Sequence, residues 1–279
     1  NTTPPGLFEL LRVPGLGAKK INTIYELLGV TSLETLEEAC NQNRLVSLPG
    51  FGAKTQAKIY AGIQFIKEQR GQFLSGEVLP EAVRLKEAVG KLPGVLMVEI
   101  AGSLRRFKEV VKDIDLVASS AEPGRVIGEF INLPMVTQII GSGGTKGSVI
   151  LKSGIQADLR VVKPSEFPHA LQHFTGSKEH NTALRRHAKS LGYKVNEYGL
   201  FKEEDSEPIY CDDEAGIYRR LGLTYIPPEL REDLGEIEAA LAGKLPELIR
   251  PEAIKGIFHV HTNYSDGVNS LREMAEAAI

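Results

Sequence analysis

Apolar residues recur every three to four positions on either side of two short glycine-bearing turns near the start of the chain. After the first turn, Ile21, Ile24, Tyr25, Leu27 and Leu28 make an apolar-periodic segment. The turn itself, Pro14-Gly15-Leu16-Gly17-Ala18-Lys19, returns 35 positions later as Pro49-Gly50-Phe51-Gly52-Ala53-Lys54. This predicts helix, tight hairpin, helix, twice over, ending near residue 72. From Pro80 the rhythm changes. A helix is predicted over 81–92 and another over 123–133, with strands over 95–100, 113–119, 135–140, 148–152 and 156–162. Short strands with few helices imply a mixed sheet covered on one face. A helical stretch over 167–191 is broken at Phe174-Thr175-Gly176-Ser177, and Pro227-Pro228 marks a further break. Residues 229–247 read as an acidic helical connector, and a new element opens at Gly256.

Length and composition change this picture little. At 279 residues the chain exceeds one ordinary core, and 42% hydrophobic with 25% charged residues suits a soluble globular protein. No run of about 18 apolar residues appears, so no membrane partner is expected. Two cysteines, Cys40 and Cys211, make no framework, which suits a reducing compartment. Net charge is −3, but its distribution is uneven. Lys146 to Lys194 holds nine Lys/Arg against three acids, whereas from Glu229 onward ten acids face five Lys/Arg. A basic middle beside an acidic end points to a local anionic ligand.

The sharpest chemistry lies in Asp113-Ile114-Asp115. Alternate strand residues share a face, so the two carboxylates project together while Ile114 and Leu116 enter a core. Like charges beside an apolar interior need a counter-charge, and an oxygen-seeking divalent cation supplies one. Asp158 sits in a second apolar run. On a neighbouring strand it completes a three-carboxylate set able to hold two ions and move a phosphoryl group. Gly102-Ser103, just before this strand, can wrap a triphosphate, with Arg105 or Arg106 neutralising it.

Further constellations add to this. Each Pro-Gly-x-Gly-x-Lys turn aims backbone N–H groups at a phosphate, with Gly15, Gly17, Lys19, Gly50, Gly52 and Lys54 gripping a duplex backbone without reading bases. His173-Phe174-Thr175-Gly176-Ser177 offers an aromatic to a sugar or base, while Asn181 and Arg185 on the following helix reach a nucleotide or a minor groove. His259 and His261 at i, i+2 face one side of a predicted strand and can share a metal, an incomplete site on two ligands.

Together these residues resemble a family X DNA polymerase of the DNA polymerase beta superfamily, and more closely the bacterial form carrying a PHP domain. The resemblance spans nearly the whole chain. It implies that Gly102-Ser103-Leu104-Arg105-Arg106 binds nucleotide, with Gly102, Ser103 and Arg106 as contacts. Asp113, Asp115 and Asp158 become the catalytic, metal-binding carboxylates for two Mg²⁺ or Mn²⁺ ions. His173, Phe174, Gly176, Ser177, Lys178 and Asn181 would meet the incoming deoxynucleoside triphosphate, and Arg185 the DNA. The hairpins look like helix-hairpin-helix elements that share a monovalent cation with DNA phosphate. His173 stands where many relatives have tyrosine, which bears on ribonucleotide exclusion, and Lys178 stands where polymerase beta has an acid.

The expected fold is therefore multi-domain α and α+β. A tandem helix-hairpin-helix DNA-binding domain covers 1–76, a nucleotidyltransferase-type mixed-sheet palm 77–164 and a small α+β nucleotide-binding subdomain 165–228. A linker covers 229–255 and the start of a truncated PHP domain 256–279. No lyase or exonuclease activity is expected from this stretch. The expected function is template-directed gap filling on gapped or primer-template duplex DNA, by a monomer in the bacterial cytoplasm at the nucleoid. Two rivals remain: a template-independent nucleotidyltransferase and a non-catalytic DNA-binding scaffold.

Overall fold

A computed structural model describes residues 4, 6–68, 71–203, 205, 207–257 and 259–279. The repeat folds as helices α1 (Gly6–Leu10), α2 (Ala18–Leu28), α3 (Leu33–Asn41) and α4 (Ala53–Glu68). Leu10, Ile24, Leu33, Leu36, Ile59 and Ile63 bury their side chains in one core between them. Ser32 opens α3 with a reciprocal cap to Thr35, and Gly29 closes α2 in the left-handed conformation.

The next unit begins with β1 (Phe73–Leu74) and α5 (Ser75–Gly90), followed by β2 (Met97–Ile100) and α6 (Gly102–Arg105). β3 (Val110–Val111) pairs antiparallel with β1. β4 (Asp113–Ser119), α7 (Pro123–Phe130), β5 (Val136–Ser142), β6 (Lys146–Leu151) and β7 (Gln156–Val162) complete it. Helix α5 starts at Ser75, ahead of the predicted 81, and runs through Pro80, because the β1–β3 pairing already directs the chain onto the sheet. The five-stranded sheet has the order β2-β4-β7-β6-β5, with β4 and β7 parallel and the other neighbours antiparallel.

Period-two alternation sorts the side chains of this sheet. Ile114, Leu116 and Ala118 of β4, with Ala157, Leu159 and Val161 of β7, enter a core roofed by α5 and α7. The opposite face bears Val117 and Val162, which pack under α8 (Phe167–Thr175) through Phe167, Ala170 and Leu171. Helix α8 thus covers the far end of that face.

Beyond α8 come α9 (Lys178–Ser190), the antiparallel strands β8 (Tyr193–Asn196), β9 (Gly199–Lys202) and β10 (Pro208–Ile209), then α10 (Glu214–Arg220) and α11 (Glu236–Leu241). The small α+β character matches expectation, though periodicity located none of these strands. One expectation needs correcting. The supposed linker from 229 is built into this unit: Arg231 is fully buried, and Ile237 and Ala240 join Leu184, Tyr218 and Leu221 in its core. The expected helix is present as α11, but its apolar face is needed in this core, so it is no connector.

The expected opening strand near 256–267 also fails. No described residue there is in a strand, since a strand needs a paired edge; the one further helix, α12 (Leu271–Ala277), buries none of its residues. Among the described residues, no helix is long and apolar enough to cross a membrane.

Candidate active site

Strand register assembles the carboxylates. In the parallel β4–β7 pair Asp115 stands directly opposite Asp158, and Asp113 opposite Gln156, so their backbones lie roughly 5 Å apart. All three aspartates occupy the face away from the main core, on the end that α8 leaves open. Burial and the neighbouring Asp158 raise the Asp113 carboxyl. Burial, with Asp113 and Asp158 nearby, lifts Asp115 to about 7. Burial also opposes ionisation of Asp158, but hydrogen bonds from Lys146, Ser148 and Gln156 outweigh it and hold that carboxyl below the usual range.

The side chains have not closed into a cage. Among the described residues, no three His, Cys, Asp or Glu side chains stand close enough to hold one ion. Like charges repel, and Lys146 Nζ, 2.9 Å from Asp158 Oδ2, takes the place of a cation. Gln156 Nε2 donates to Asp158 Oδ1 at 3.0 Å. Three hard oxygen donors with unfavourable charge, one of them already drawing an ammonium group, suit a divalent, oxygen-preferring ion.

Gly102 shows why the residue before Ser103 has no side chain. Its φ is +63°, and a Cβ there would fall 2.0 Å from Asp115 Oδ2. The turn is tied to the same strand by Ala101 N–H donating to the Asp115 carbonyl at 2.8 Å. Gly102 and Ser103 therefore start α6 against the carboxylate, where the first N–H groups of a helix lack intrahelical partners.

Arg106 is engaged within the protein. Its Nε donates to Glu232 Oε1 at 2.7 Å and its Nη1 to the Thr175 carbonyl at 2.9 Å. Arg105 forks onto Glu214 at 2.6 and 3.0 Å and reaches the Thr175 hydroxyl at 2.7 Å. Arg231 adds a bond to Glu214 at 2.5 Å. Both arginines thus bind the sheet unit to the turn 174–177 and its neighbours.

That turn reaches the carboxylates. Phe174 lines a cavity of about 40 Å³ with Asp115, Lys146, Asp158 and Arg160, whose guanidinium carbon lies 5.2 Å from the ring centroid. His173 stacks edge-on against Phe174, and burial lowers its pKa although Glu197 lies 3.9 Å away. Gly176 leaves no room for a side chain beside Asn181 and His180. Ser177 caps α9 by accepting from His180 N–H at 2.9 Å, with Lys178 exposed just after it.

Asn181 is engaged within the protein as well. It is buried and turned inward, its amide donating to the carbonyls of His173 and Gly176. It shapes the turn from within. Arg185 is exposed and lines a cavity of about 830 Å³ that also carries Lys189, Lys194 and Lys202.

The hairpins match each other bond for bond. Leu16 N–H donates to Val13 and Phe51 N–H to Leu48, at 3.0 and 3.1 Å. Gly15 and Gly50 have φ of +83° and +79°. Gly17 and Gly52 receive the next pair, from Ile21 and Gln56, both at 3.0 Å. Lys19 and Lys54 are exposed beside them. His259 and His261 lie on exposed coil with Nε2 atoms 2.8 Å apart, and His261 Nδ1 is 2.5 Å from Asp266. The expected two-histidine strand face is absent there, and these groups belong to no metal-holding cluster among the described residues.

Sequence reasoning missed Lys146, Arg160, Glu214, Arg231 and Glu232. Only Lys146 carried a local signal, the turn Gly143-Gly144-Thr145-Lys146-Gly147, and nothing in the linear order paired it with Asp158.

A family model described as SAM-like helix-hairpin-helix tandem matches residues 7–64, and one described as DNA polymerase beta thumb matches 170–232. The chain is 41% identical over 278 residues to DNA polymerase/3′-5′ exonuclease PolX of Bacillus subtilis, covering 99% of this chain and 48% of that protein. It therefore spans about half the length of that relative. It is 31% identical over 136 residues to repair DNA polymerase X of African swine fever virus, covering 47% of this chain and 78% of the viral protein. Among solved structures, Leishmania infantum polymerase beta in a ternary P/T complex shares the fold. The TM-score is 0.53 at 21% identity, covering 83% of this chain and all of that one.

Proposed function

As the chain belongs to the family X DNA polymerases, we propose that it is a template-directed DNA polymerase that extends a primer 3′ hydroxyl with a deoxynucleoside triphosphate, filling gaps in DNA repair. One observation carries this reading: Asp115 and Asp158 stand opposite each other in register, with Asp113 beside them, at the open end of a sheet whose other face is a sealed core. Asp113 and Asp115 would hold both divalent ions and Asp158 the one nearer the primer. When bound, Mg²⁺ or Mn²⁺ makes the primer hydroxyl more acidic and neutralises charge on the entering and leaving oxygens.

The chain's own groups do the rest. Asp158 accepts the hydroxyl proton. Gly102, Ser103, Gly176 and Ser177 hold phosphates, and Lys178 adds positive charge at the start of α9. Arg106 exchanges Glu232 for the more highly charged triphosphate. His173 and Phe174 flank the sugar, with Asn181 supporting them from behind. Arg185 and its cavity follow the template strand. Gly15, Gly17, Lys19, Gly50, Gly52 and Lys54 grip the duplex backbone on either side. The hairpin carbonyls would hold a monovalent cation, which would supply positive charge toward phosphate. We read the protein as a monomer of the bacterial cytoplasm, working at the nucleoid, and residues 256–279 as the opening of a PHP domain.

Extension of a one-nucleotide gap, with each deoxynucleoside triphosphate supplied singly, tests this reading. Only the complementary nucleotide should be added. Indifference to the template base would favour a terminal transferase, and no incorporation at all a scaffold.

A further inference from the structure

Five buried polar side chains, mostly idle in the reaction above, form one line behind the turn 174–177. His180 lies fully buried at the start of α9, its Nδ1 2.6 Å from Glu236 Oε1 and its Nε2 3.0 Å from the Tyr218 hydroxyl. The Tyr218 hydroxyl bonds Gln172. Gln172 Nε2 donates to Asn181 Oδ1 at 3.2 Å, and Asn181 Nδ2 donates to the carbonyls of His173 at 2.7 Å and Gly176 at 3.2 Å. The line thus runs from α11 through α9, α10 and α8 and ends on the two carbonyls that bracket Phe174 and Thr175. Every member is at most 9% exposed.

Its far end is anchored. Glu236 accepts from Asp233 N–H at 2.9 Å and Leu234 N–H at 2.7 Å. Burial opposes its ionisation, but the His180 bond and these N–H groups hold its carboxyl at about 2. The turn is gripped from the other side by Arg105 and Arg106, which bind the Thr175 hydroxyl and carbonyl. An apolar side chain could fill the space of His180 with no partners to satisfy. A connected polar line instead admits one arrangement, since each bond orients the next.

We infer that His180 is a positioning residue: acting through Tyr218, Gln172 and Asn181, it sets the turn that carries Phe174 to Asp115 and Asp158, and so governs affinity for the incoming nucleotide. This rests on the reading that the turn meets the nucleotide. His180→Phe keeps the volume and breaks both bonds; Tyr218→Phe removes only the hydroxyl between His180 and Gln172. In gapped-duplex extension, His180→Phe should raise KM for the complementary nucleotide about tenfold, with kcat within about twofold. Tyr218→Phe should raise KM about threefold. His180→Gln, which can restore one bond, should recover part of the loss.

Nuclear magnetic resonance reads the line without activity. The wild-type protein should show a slowly exchanging, far-downfield imidazole N–H that both Phe variants shift or lose, together with a shift of the Asn181 side-chain amide. If His180→Phe does not fold, Tyr218→Phe carries the same two measurements. Unchanged KM and an unmoved Asn181 amide in the folded variant overturn the inference. A wild-type protein that extends no primer overturns the polymerase reading instead, and the Asn181 amide still decides whether His180 sets the turn.

Discussion

On the proposed reading the hairpins and the carboxylates serve the same polymer, yet they are assembled by opposite means. Each hairpin completes itself within about ten residues: a positive-φ glycine, one i→i+3 bond, and a lysine at the next helix start. The carboxylate site draws on β4, β7, β6 and the turn after α8, and its charges are mutually unfavourable. A local motif tolerates exposure because its backbone geometry is its function. A site assembled by register depends on every strand that holds it.

Losing one carboxylate should separate the two regions most widely. Asp158→Ala is expected to reduce primer extension about a thousandfold or more, while gapped-duplex binding in a fluorescence titration stays within about twofold. Near-normal extension would remove Asp158 from the chemistry. Next comes Gly102→Ala, whose Cβ would collide with Asp115 in a backbone conformation alanine resists. We expect a cost of about 2–4 kcal/mol in denaturant unfolding, with loss of extension.

The hairpins should respond in affinity alone. Gly15→Ala with Gly50→Ala strains both turns and should weaken DNA binding about tenfold, leaving the rate at saturating DNA close to wild type. Lys19→Ala and Lys54→Ala should each flatten the dependence of log affinity on log salt by about one unit. A salt slope that both variants leave unchanged would detach these lysines from phosphate.

A separate effect, read in stability and not in activity, is a pH dependence in metal-free protein. Folding raises the Asp115 carboxyl from 3.8 to about 7, so the folded state binds that proton more tightly. The stability this confers is complete below about pH 4 and is lost as pH rises through 7. Asp115→Asn should therefore gain on wild type across that window, by about 2 kcal/mol at pH 8 and little at pH 4. Adding Mg²⁺ should narrow the gap, because only the wild-type protein gains from it. An Asn variant with no advantage at pH 8 would mean that the charges are already well compensated, with Lys146 the first suspect.

Much of this was legible in the linear order, for reasons of range. The duplicated turn, the Asp-x-Asp strand and the break at 174–177 are short patterns, and β4 and β7 span the predicted residues. The small strands β8 to β10 were not legible, being two to four residues long with mixed faces. The helix at α11 was legible but its burial was not: its acids suggested a solvated linker, while Ile237 and Ala240 are buried. Asn181 and Arg106 illustrate a different limit. Their residue types suited a nucleotide, but the carbonyls and the carboxylate that folding brings to their hydrogen bonds could not be read from the linear order.

By itself the sequence determined which residues carry charge, which turns need glycine, and which faces of each element are apolar, because these depend on neighbours a few positions away. Only the tertiary structure decided that Asp158 stands opposite Asp115 and that Lys146 reaches it. It also decided that Glu214 and Glu232 meet the paired arginines, that Arg231 shares Glu214 with Arg105, and that His180 connects Glu236 to the turn. Register and packing set those distances, and both emerge only when distant apolar faces are buried against one another.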